Sequence, residues 1–187
     1  MSQKKILRKK YYLLRKKNYN EIDKIFFFPL LKLIKKNFKK KDLRLALYHP
    51  TNCEVNVIKF LDNNFMKNKS ILLPVIEKKN NMNFYKWKKN QTLFVNQFGI
   101  LEPHKTEVKI PNFMLVPILA FDNYKYRLGY GKGFYDRYLN KYLKKFKNIL
   151  TVGVAFSFQK HHKLPRDKND VKLNYILTEK GIYKWKY

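Results

Sequence analysis

The densest chemistry lies in eleven residues, Arg127-Leu-Gly-Tyr-Gly-Lys-Gly-Phe-Tyr-Asp-Arg137, which hold three of the chain's six glycines, at 129, 131 and 133. Alternating glycines let a backbone approach a ligand closely and adopt positive φ. The string follows an apolar run with an acidic end, Ala120-Phe-Asp122, and leads into a helix-patterned segment. A helix start offers unpaired N–H groups and the positive end of its dipole, which suits an anion. Arg127 and Lys132 would add charge-assisted contacts to phosphate oxygens. The segment therefore reads as a phosphate cradle, and glycine spacing alone also allows a tight turn with no ligand. It is not the P-loop, which needs Lys followed by Ser or Thr after its last glycine. The dinucleotide fingerprint needs its third glycine further on and normally follows the first strand.

Taken whole, the string resembles the signature of the 5-formyltetrahydrofolate cyclo-ligases, also called 5,10-methenyltetrahydrofolate synthetases. The preceding Val116-Pro-Ile-Leu-Ala-Phe-Asp122 is similar as well. Other landmarks fall in that family's order: Lys4-Lys-Ile-Leu-Arg8, the strand and turn before Glu54, Glu102-Pro103 and Val152-Gly-Val-Ala-Phe156. Gln159, Leu164-Pro165, Asp170 and Tyr183-Lys-Trp185 complete the set, so the resemblance spans nearly the whole chain.

The resemblance implies an ATP- and Mg2+-dependent conversion of 5-formyltetrahydrofolate to 5,10-methenyltetrahydrofolate, ADP and phosphate. It implies that Lys4, Lys5 and Arg8 reach ATP from the first helix. Arg127, Leu128, Gly129, Tyr130, Gly131, Lys132, Gly133, Phe134 and Tyr135 would wrap its phosphates, with Arg127 and Lys132 as the catalytic cations. Tyr130, Gly131, Lys132, Gly133 and Phe134 would also face the folate, together with His49 and Glu54. Glu54 matches the family's pterin-binding carboxylate; His49 stands where that family usually has an apolar contact. Asp136 and Asp170 match magnesium positions, and Mg2+ takes one or two carboxylates plus phosphate oxygens. Two departures stand out: Val57 replaces a common Thr, and Phe134 replaces a common Tyr.

These residues need elements to hold them. Leu7, Tyr11 and Leu14 follow helical spacing, with Lys4, Arg8 and Arg15 on an adjoining face. A second helix is expected from about Asn20 to Phe38, interrupted or kinked at Pro29. Residues 43–48 read as a strand and 49–52 as a turn. Glu54 is expected to open a helix with Val57, Ile58 and Leu61 inward. Residues 71–76 read as a strand, 78–83 as a loop, and 85–95 as short antiparallel strands. Residues 113–118 form an apolar run of the kind buried on both faces. Residues 134–146 read as a helix whose apolar face is Tyr135, Tyr138, Leu139 and Tyr142. Strands at 150–156 and 175–178 close the chain. Alternating strands and helices argue a three-layer, Rossmann-like α/β fold with a largely parallel sheet. The resemblance adds the class shared by ribose-5-phosphate isomerase and coenzyme A transferases. No repeat or linker divides the 187 residues, so one domain is expected.

Charge is the loudest global feature and the least specific. The chain has 42 Lys+Arg against 13 Asp+Glu, a formal net charge of +29. Yet 36 of those cations are Lys and 6 are Arg, and Lys, Asn, Ile, Phe and Tyr make up 97 of the residues. All five have AT-rich codons, while Ala occurs three times. Genome drift explains this pattern better than selection for a polyanion, since net charge mainly governs solubility and non-specific binding. The same drift makes the retained glycines, arginines and acids informative. A basic, non-catalytic RNA-associated protein is the alternative, but the lysines are spread through every segment rather than gathered with aromatics. A decayed enzyme is opposed by the retained glycines, Arg127 and Asp136. With 45% apolar residues the chain is too hydrophobic for a disordered basic tail. No stretch approaches the roughly 18 apolar residues of a membrane span, and the basic start lacks a secretory apolar core. The lone Cys53 suits a reducing cytosol. The expectation is a cytoplasmic monomer with no specific nucleic acid or membrane partner.

Overall fold

The computed structural model describes residues 2–38, 42–78 and 81–183. Lys184 and Trp185 of the terminal landmark lie outside the described residues. Helices α1 (Gln3–Lys17), α2 (Phe28–Asn37) and α3 (Phe134–Lys145) accompany twelve strands. These are β1 (Arg44–Ala46), β2 (Ser70–Ile76), β3 (Met82–Lys86), β4 (Leu93–Val95), β5 (Leu101–Pro103) and β6 (Phe113–Pro117). Then come β7 (Ala120–Asp122), β8 (Arg127–Leu128), β9 (Leu150–Val154), β10 (Lys160–His161), β11 (Tyr175–Thr178) and β12 (Gly181–Tyr183).

The apolar runs build a seven-stranded sheet in the order β12-β11-β9-β6-β1-β2-β3. Its five inner strands are parallel, and β12 and β3 pair antiparallel at the edges. Period-2 alternation divides its side chains between two cores. Leu45, Leu115 and Val152 pack with Leu30 and Ile34 of α2. Ala46, Met114 and Val116 face the other way, against Tyr138 and Leu139 of α3. Helices on both faces give the three layers expected. Helix α1 joins neither core: its Leu7 and Tyr11 pack on Ala120, Leu128 and Leu164, over a second sheet of order β10-β7-β8.

Several local expectations are corrected. Pro29 does not interrupt a helix; it sits in the first turn of α2, where its missing N–H costs nothing. The preceding turn, Lys24–Phe27, is 3-10 and capped by Asp23, whose Oδ1 accepts from the Ile25 N–H at 2.7 Å. Glu54 opens no α-helix: 3-10 turns follow at Val57–Asp62 and Asn64–Met66. Val55, Val57 and Ile58 are β-branched, and Asn63 caps the second turn by accepting the Phe65 N–H at 2.9 Å. Of the expected 78–83 loop, residues 79 and 80 lie outside the described residues, and β3 already begins at Met82. Residues 175–178 are not the last strand; Gly181, at φ 104°, turns the chain into β12.

The parallel strands fix where a site can form. From β1 the chain winds outward through β2, and β6 lies on β1's other side. The carboxyl ends of β1 and β6 therefore flank a point where strand order reverses, the usual ligand crevice of an open α/β sheet.

Candidate functional site

A cavity of about 1280 Å³ opens at that crevice, between the residues following β1, Pro117 at the end of β6, the glycine-rich loop and the head of α1. Every site residue nominated from the sequence lines it except Lys5, which is exposed and lies off the lining.

The glycine-rich loop is aimed by the hairpin before it. Asp122 is fully buried, and its Oδ1 accepts the Tyr124 and Tyr126 N–H groups at 2.9 and 3.0 Å. Its Oδ2 accepts from the Leu164 N–H at 3.2 Å and from Arg166 at 3.3 Å. Asp122 is thus a turn-builder. Beyond β8 each glycine has its own reason. Gly131 has φ 97°, and a Cβ there would lie 3.0 Å from the Arg8 guanidinium carbon. Gly133, at φ 69°, is the left-handed N-cap of α3. Gly129 has no positive φ, and a Cβ on it would meet nothing within 4 Å. Neither strain nor crowding from the protein demands glycine at 129, so its open face leaves room for close approach to the backbone. Arg8 braces the loop from below, donating through Nε to the Gly129 carbonyl at 2.9 Å.

Charged pairs stand at both sides of this loop. Arg127 is buried and donates to Asp136 Oδ1 at 2.6 Å and to the Val171 carbonyl at 3.2 Å. The Val171 N–H returns a bond to the same Asp136 oxygen at 3.3 Å. Burial lowers the pKa of Arg127, while the charges of Asp136 and Asp170 both oppose that shift. Lys4 holds Asp167 and Asp170 at 2.6 Å each. Burial works against the Lys4 charge, but the two carboxylates outweigh it and its pKa is raised. Lys132 is exposed, with its ammonium 5.3 Å from the Phe98 ring centre, and Phe98 packs on Phe134.

Opposite the loop stands Glu54, buried at 6% exposure. The turn that presents it has Asn52 and Cys53 at φ 49° and 60°, closed by the Glu54 N–H to the Thr51 carbonyl at 2.9 Å. Positive φ at both central residues makes it a type I′ turn, unfavourable for Cys53. Glu54 Oε2 offsets this by accepting the Thr51 N–H at 2.9 Å. Burial raises the Glu54 pKa, against the nearby charge of Arg15 and hydrogen bonds from Thr51 and Tyr130. Burial likewise raises the pKa of Tyr130 and Tyr135. The Tyr135 hydroxyl and the His49 Nδ1 are buried on the cavity wall without a hydrogen-bond partner from the protein. Burial holds the His49 pKa below its ordinary value.

Sequence reasoning missed the roles of Arg15 and Asp167. Arg15 looks like one more cation on a helix face, yet it is 1% exposed. Its signal was its type, one of six arginines kept among 36 lysines. Two of the landmarks prove to be braces. Glu102 Oε1 accepts from the Ile76 N–H and the Asn96 amide at 2.7 Å each. Gln159 Nε2 donates to the Ile118 and Leu119 carbonyls at 3.0 and 2.8 Å.

The cavity thus combines a glycine-rich loop, two carboxylates paired with cations and a buried acceptor. Among the described residues no three His, Cys, Asp or Glu side chains form a metal cluster. Asp136 and Asp170 both line the cavity, tied to Arg127 and Lys4, and carboxylate oxygens are the donor type that Mg2+ takes beside phosphate oxygens. No helix among the described residues is long and apolar enough to cross a membrane.

Comparison with known proteins converges on one family. The model described as the 5-formyltetrahydrofolate cyclo-ligase family matches residues 3–179. The chain is 34% identical over 142 residues to the 5-formyltetrahydrofolate cyclo-ligase of Haemophilus influenzae, covering 72% of this chain and 74% of that one. It is 30% identical over 161 residues to a probable 5-formyltetrahydrofolate cyclo-ligase of Schizosaccharomyces pombe, covering 78% and 73%. The NMR structure of Aquifex aeolicus 5,10-methenyltetrahydrofolate synthetase superposes with a TM-score of 0.75 at 34% identity, over 98% of this chain and 93% of that one.

Proposed function

The chain belongs to the 5-formyltetrahydrofolate cyclo-ligase family, and from that premise we propose that it is the ring-closing carbon–nitrogen ligase converting 5-formyltetrahydrofolate to 5,10-methenyltetrahydrofolate, with ATP going to ADP and phosphate. The observation that carries the reading is one cavity with the glycine-rich, cation-bearing loop on one wall and a buried carboxylate on the other. A triphosphate and a pterin can meet there. A non-catalytic RNA-associated protein draws no support from the family match.

The reaction asks the site for position and charge. A formamide is a poor electrophile; phosphorylating its oxygen makes that oxygen a leaving group. In this reading the formyl oxygen attacks the γ-phosphate, N10 closes on the activated carbon, and phosphate departs. Lys4, Lys5 and Arg8 with residues 127–135 hold ATP, and Arg127 and Lys132 balance the charge of the transferring phosphoryl group. Glu54 accepts from the pterin's amide and amino donors, with His49 and residues 130–134 around the ring. Asp136 and Asp170 would hold Mg2+, which supplies neutralisation of phosphate charge. Phe134 has no hydroxyl to offer, and the nearby Tyr135 hydroxyl is the free donor on this wall.

We take residues 1–187 as one cyclo-ligase domain of the ribose-5-phosphate isomerase and coenzyme A transferase class. We take it as a cytoplasmic monomer without a specific nucleic-acid or membrane partner. The test mixes protein, ATP, Mg2+ and 5-formyltetrahydrofolate and follows the long-wavelength absorbance of the methenyl product. An absorbance rise that requires all four components supports the reading; no product with all four present overturns it.

A further inference from the structure

Arg15 is 1% exposed, and it lines none of the cavity. Its Nε donates to the Asn52 carbonyl at 3.1 Å, inside the type I′ turn that presents Glu54. Its Nη1 donates to the Ile118 carbonyl at 3.3 Å, just past β6. Its Nη2 donates to the Tyr130 hydroxyl, between Gly129 and Gly131. Tyr130 in turn donates to Glu54. Among the described residues no carboxylate lies within ion-pairing distance of Arg15. A buried guanidinium satisfied by neutral oxygens is expensive, and apolar side chains pack a helix face without that expense.

We propose that Arg15 is a positioning residue for folate: through the Asn52 carbonyl and the Tyr130 hydroxyl it locks the Glu54 turn to the glycine-rich loop and keeps the Glu54 carboxyl group aimed into the cavity. The direction of each bond carries this. Arg15 can only donate, so Tyr130 accepts from it and directs its own proton at Glu54. Glu54 Oε2 is already occupied by the Thr51 N–H. The carboxylate is therefore held as an acceptor with one oxygen fixed by its own turn. The Glu54 charge also acts on Tyr48, Tyr130 and Tyr135, and burial raises the pKa of all three. Burial raises the Glu54 pKa, and the nearby Arg15 charge opposes that shift.

The inference rests on the cyclo-ligase reading, and the test separates the two. Arg15→Met, Arg15→Lys and Tyr130→Phe are assayed with wild type at matched salt, measuring kcat, both KM values and thermal stability. Loss of a bond to a charged group predicts a folate KM raised about tenfold in Arg15→Met and several-fold in Tyr130→Phe. The ATP KM should move less than about twofold, and Arg15→Lys should recover part of the folate KM because it restores the charge. A merely structural arginine would lower stability and shift both KM values together. If Arg15→Met does not fold, Tyr130→Phe and Arg15→Lys decide, since both keep the buried charge or its partners. An unchanged folate KM in Tyr130→Phe, or equal shifts in both KM values, overturns the proposal while wild-type turnover leaves the cyclo-ligase reading standing. No product from wild type overturns that reading, and this inference with it.

Discussion

Arg127 and Asp136 meet across the glycine-rich loop at 2.6 Å, joining the last residues before the loop to the first turn after it. The pair closes the loop into a ring braced on the Val171 backbone. Asp136 therefore does two jobs in this reading: it holds Arg127 now, and it would turn to Mg2+ when a nucleotide brings phosphate oxygens. The two cations nearest the carboxylates, Lys4 and Arg127, keep Asp170 and Asp136 from standing as bare neighbouring charges.

Asp136→Asn separates those jobs by magnitude. Asparagine can still accept from Arg127, so the stability loss should be about 1–3 kcal/mol, the scale of weakening one bond to a buried charged donor. Turnover should fall on the order of a hundredfold, because a carboxylate that positions charge on the transferring phosphate is worth about 2–3 kcal/mol or more in the transition state. Denaturant unfolding and steady-state rates at saturating Mg2+ measure both. Near wild-type turnover would refute the assignment.

Gly129→Ala tests whether the loop exists for a ligand. The added methyl meets nothing in the protein, so stability should hold or rise by about 0.4–1 kcal/mol. Apparent ATP affinity should nevertheless fall, since the methyl occupies space the phosphates need. Gly131→Ala and Gly133→Ala provide the contrast: both force a side chain into positive φ, and both should lose stability. A Gly129→Ala protein with unchanged ATP KM would make the open face of Gly129 irrelevant to the nucleotide.

The parts of this site that were legible in the sequence are those a neutral drift cannot easily supply. Gly129, Gly131 and Gly133 stood out because a Lys- and Asn-rich chain kept them, and α3 stood out because Tyr135, Tyr138, Leu139 and Tyr142 recur at helical spacing. Arg15 was illegible for a physical reason: helical periodicity reports which face is apolar, and a buried cation on that border looks like its solvated neighbours. Glu54 was read as opening a helix because local pattern carries no information about the Arg15 and Thr51 contacts that let Asn52 and Cys53 take positive φ. The small sheet of β7, β8 and β10 was hidden for another reason. Strands of two or three residues have too few positions to show alternation, and β10 owes its place to pairing with β7.

Hydrolysis of ATP should depend on the folate. The loop lacks a residue placed as a water-orienting base of a general ATPase, and its nearest carboxylates are tied to Lys4 and Arg127. Water should then be a poor substitute for the formyl oxygen, and phosphate release without 5-formyltetrahydrofolate should be a small fraction of the coupled rate. A continuous phosphate assay with and without the folate decides it; equal rates would count against phosphorylation of the formyl oxygen.

Glu54→Gln should weaken folate without weakening the fold. Oε2 is committed to the Thr51 N–H, so the amide oxygen will take that place and its NH₂ will face the pterin's donors. Losing charge-assisted bonds there costs about 1.5–3 kcal/mol, so folate affinity should fall on the order of tenfold or more, with ATP affinity nearly unchanged. Stability should move the other way with pH. Burial raises the Glu54 pKa above its ordinary 4.5, so between those two values the folded protein binds more protons than the unfolded chain. Wild-type stability therefore has a component that is present below the ordinary value and is lost as pH rises through the raised one. Glutamine has no such component, so the variant should be at least as stable at neutral pH. Folate affinity of wild type should weaken as pH falls through the same raised value, because the protonated carboxyl no longer accepts freely, and the variant should lack that limb. Paired titrations of each ligand across this pH range, beside unfolding curves, test both halves; an equal loss of ATP and folate affinity in the variant would remove Glu54 from the pterin site.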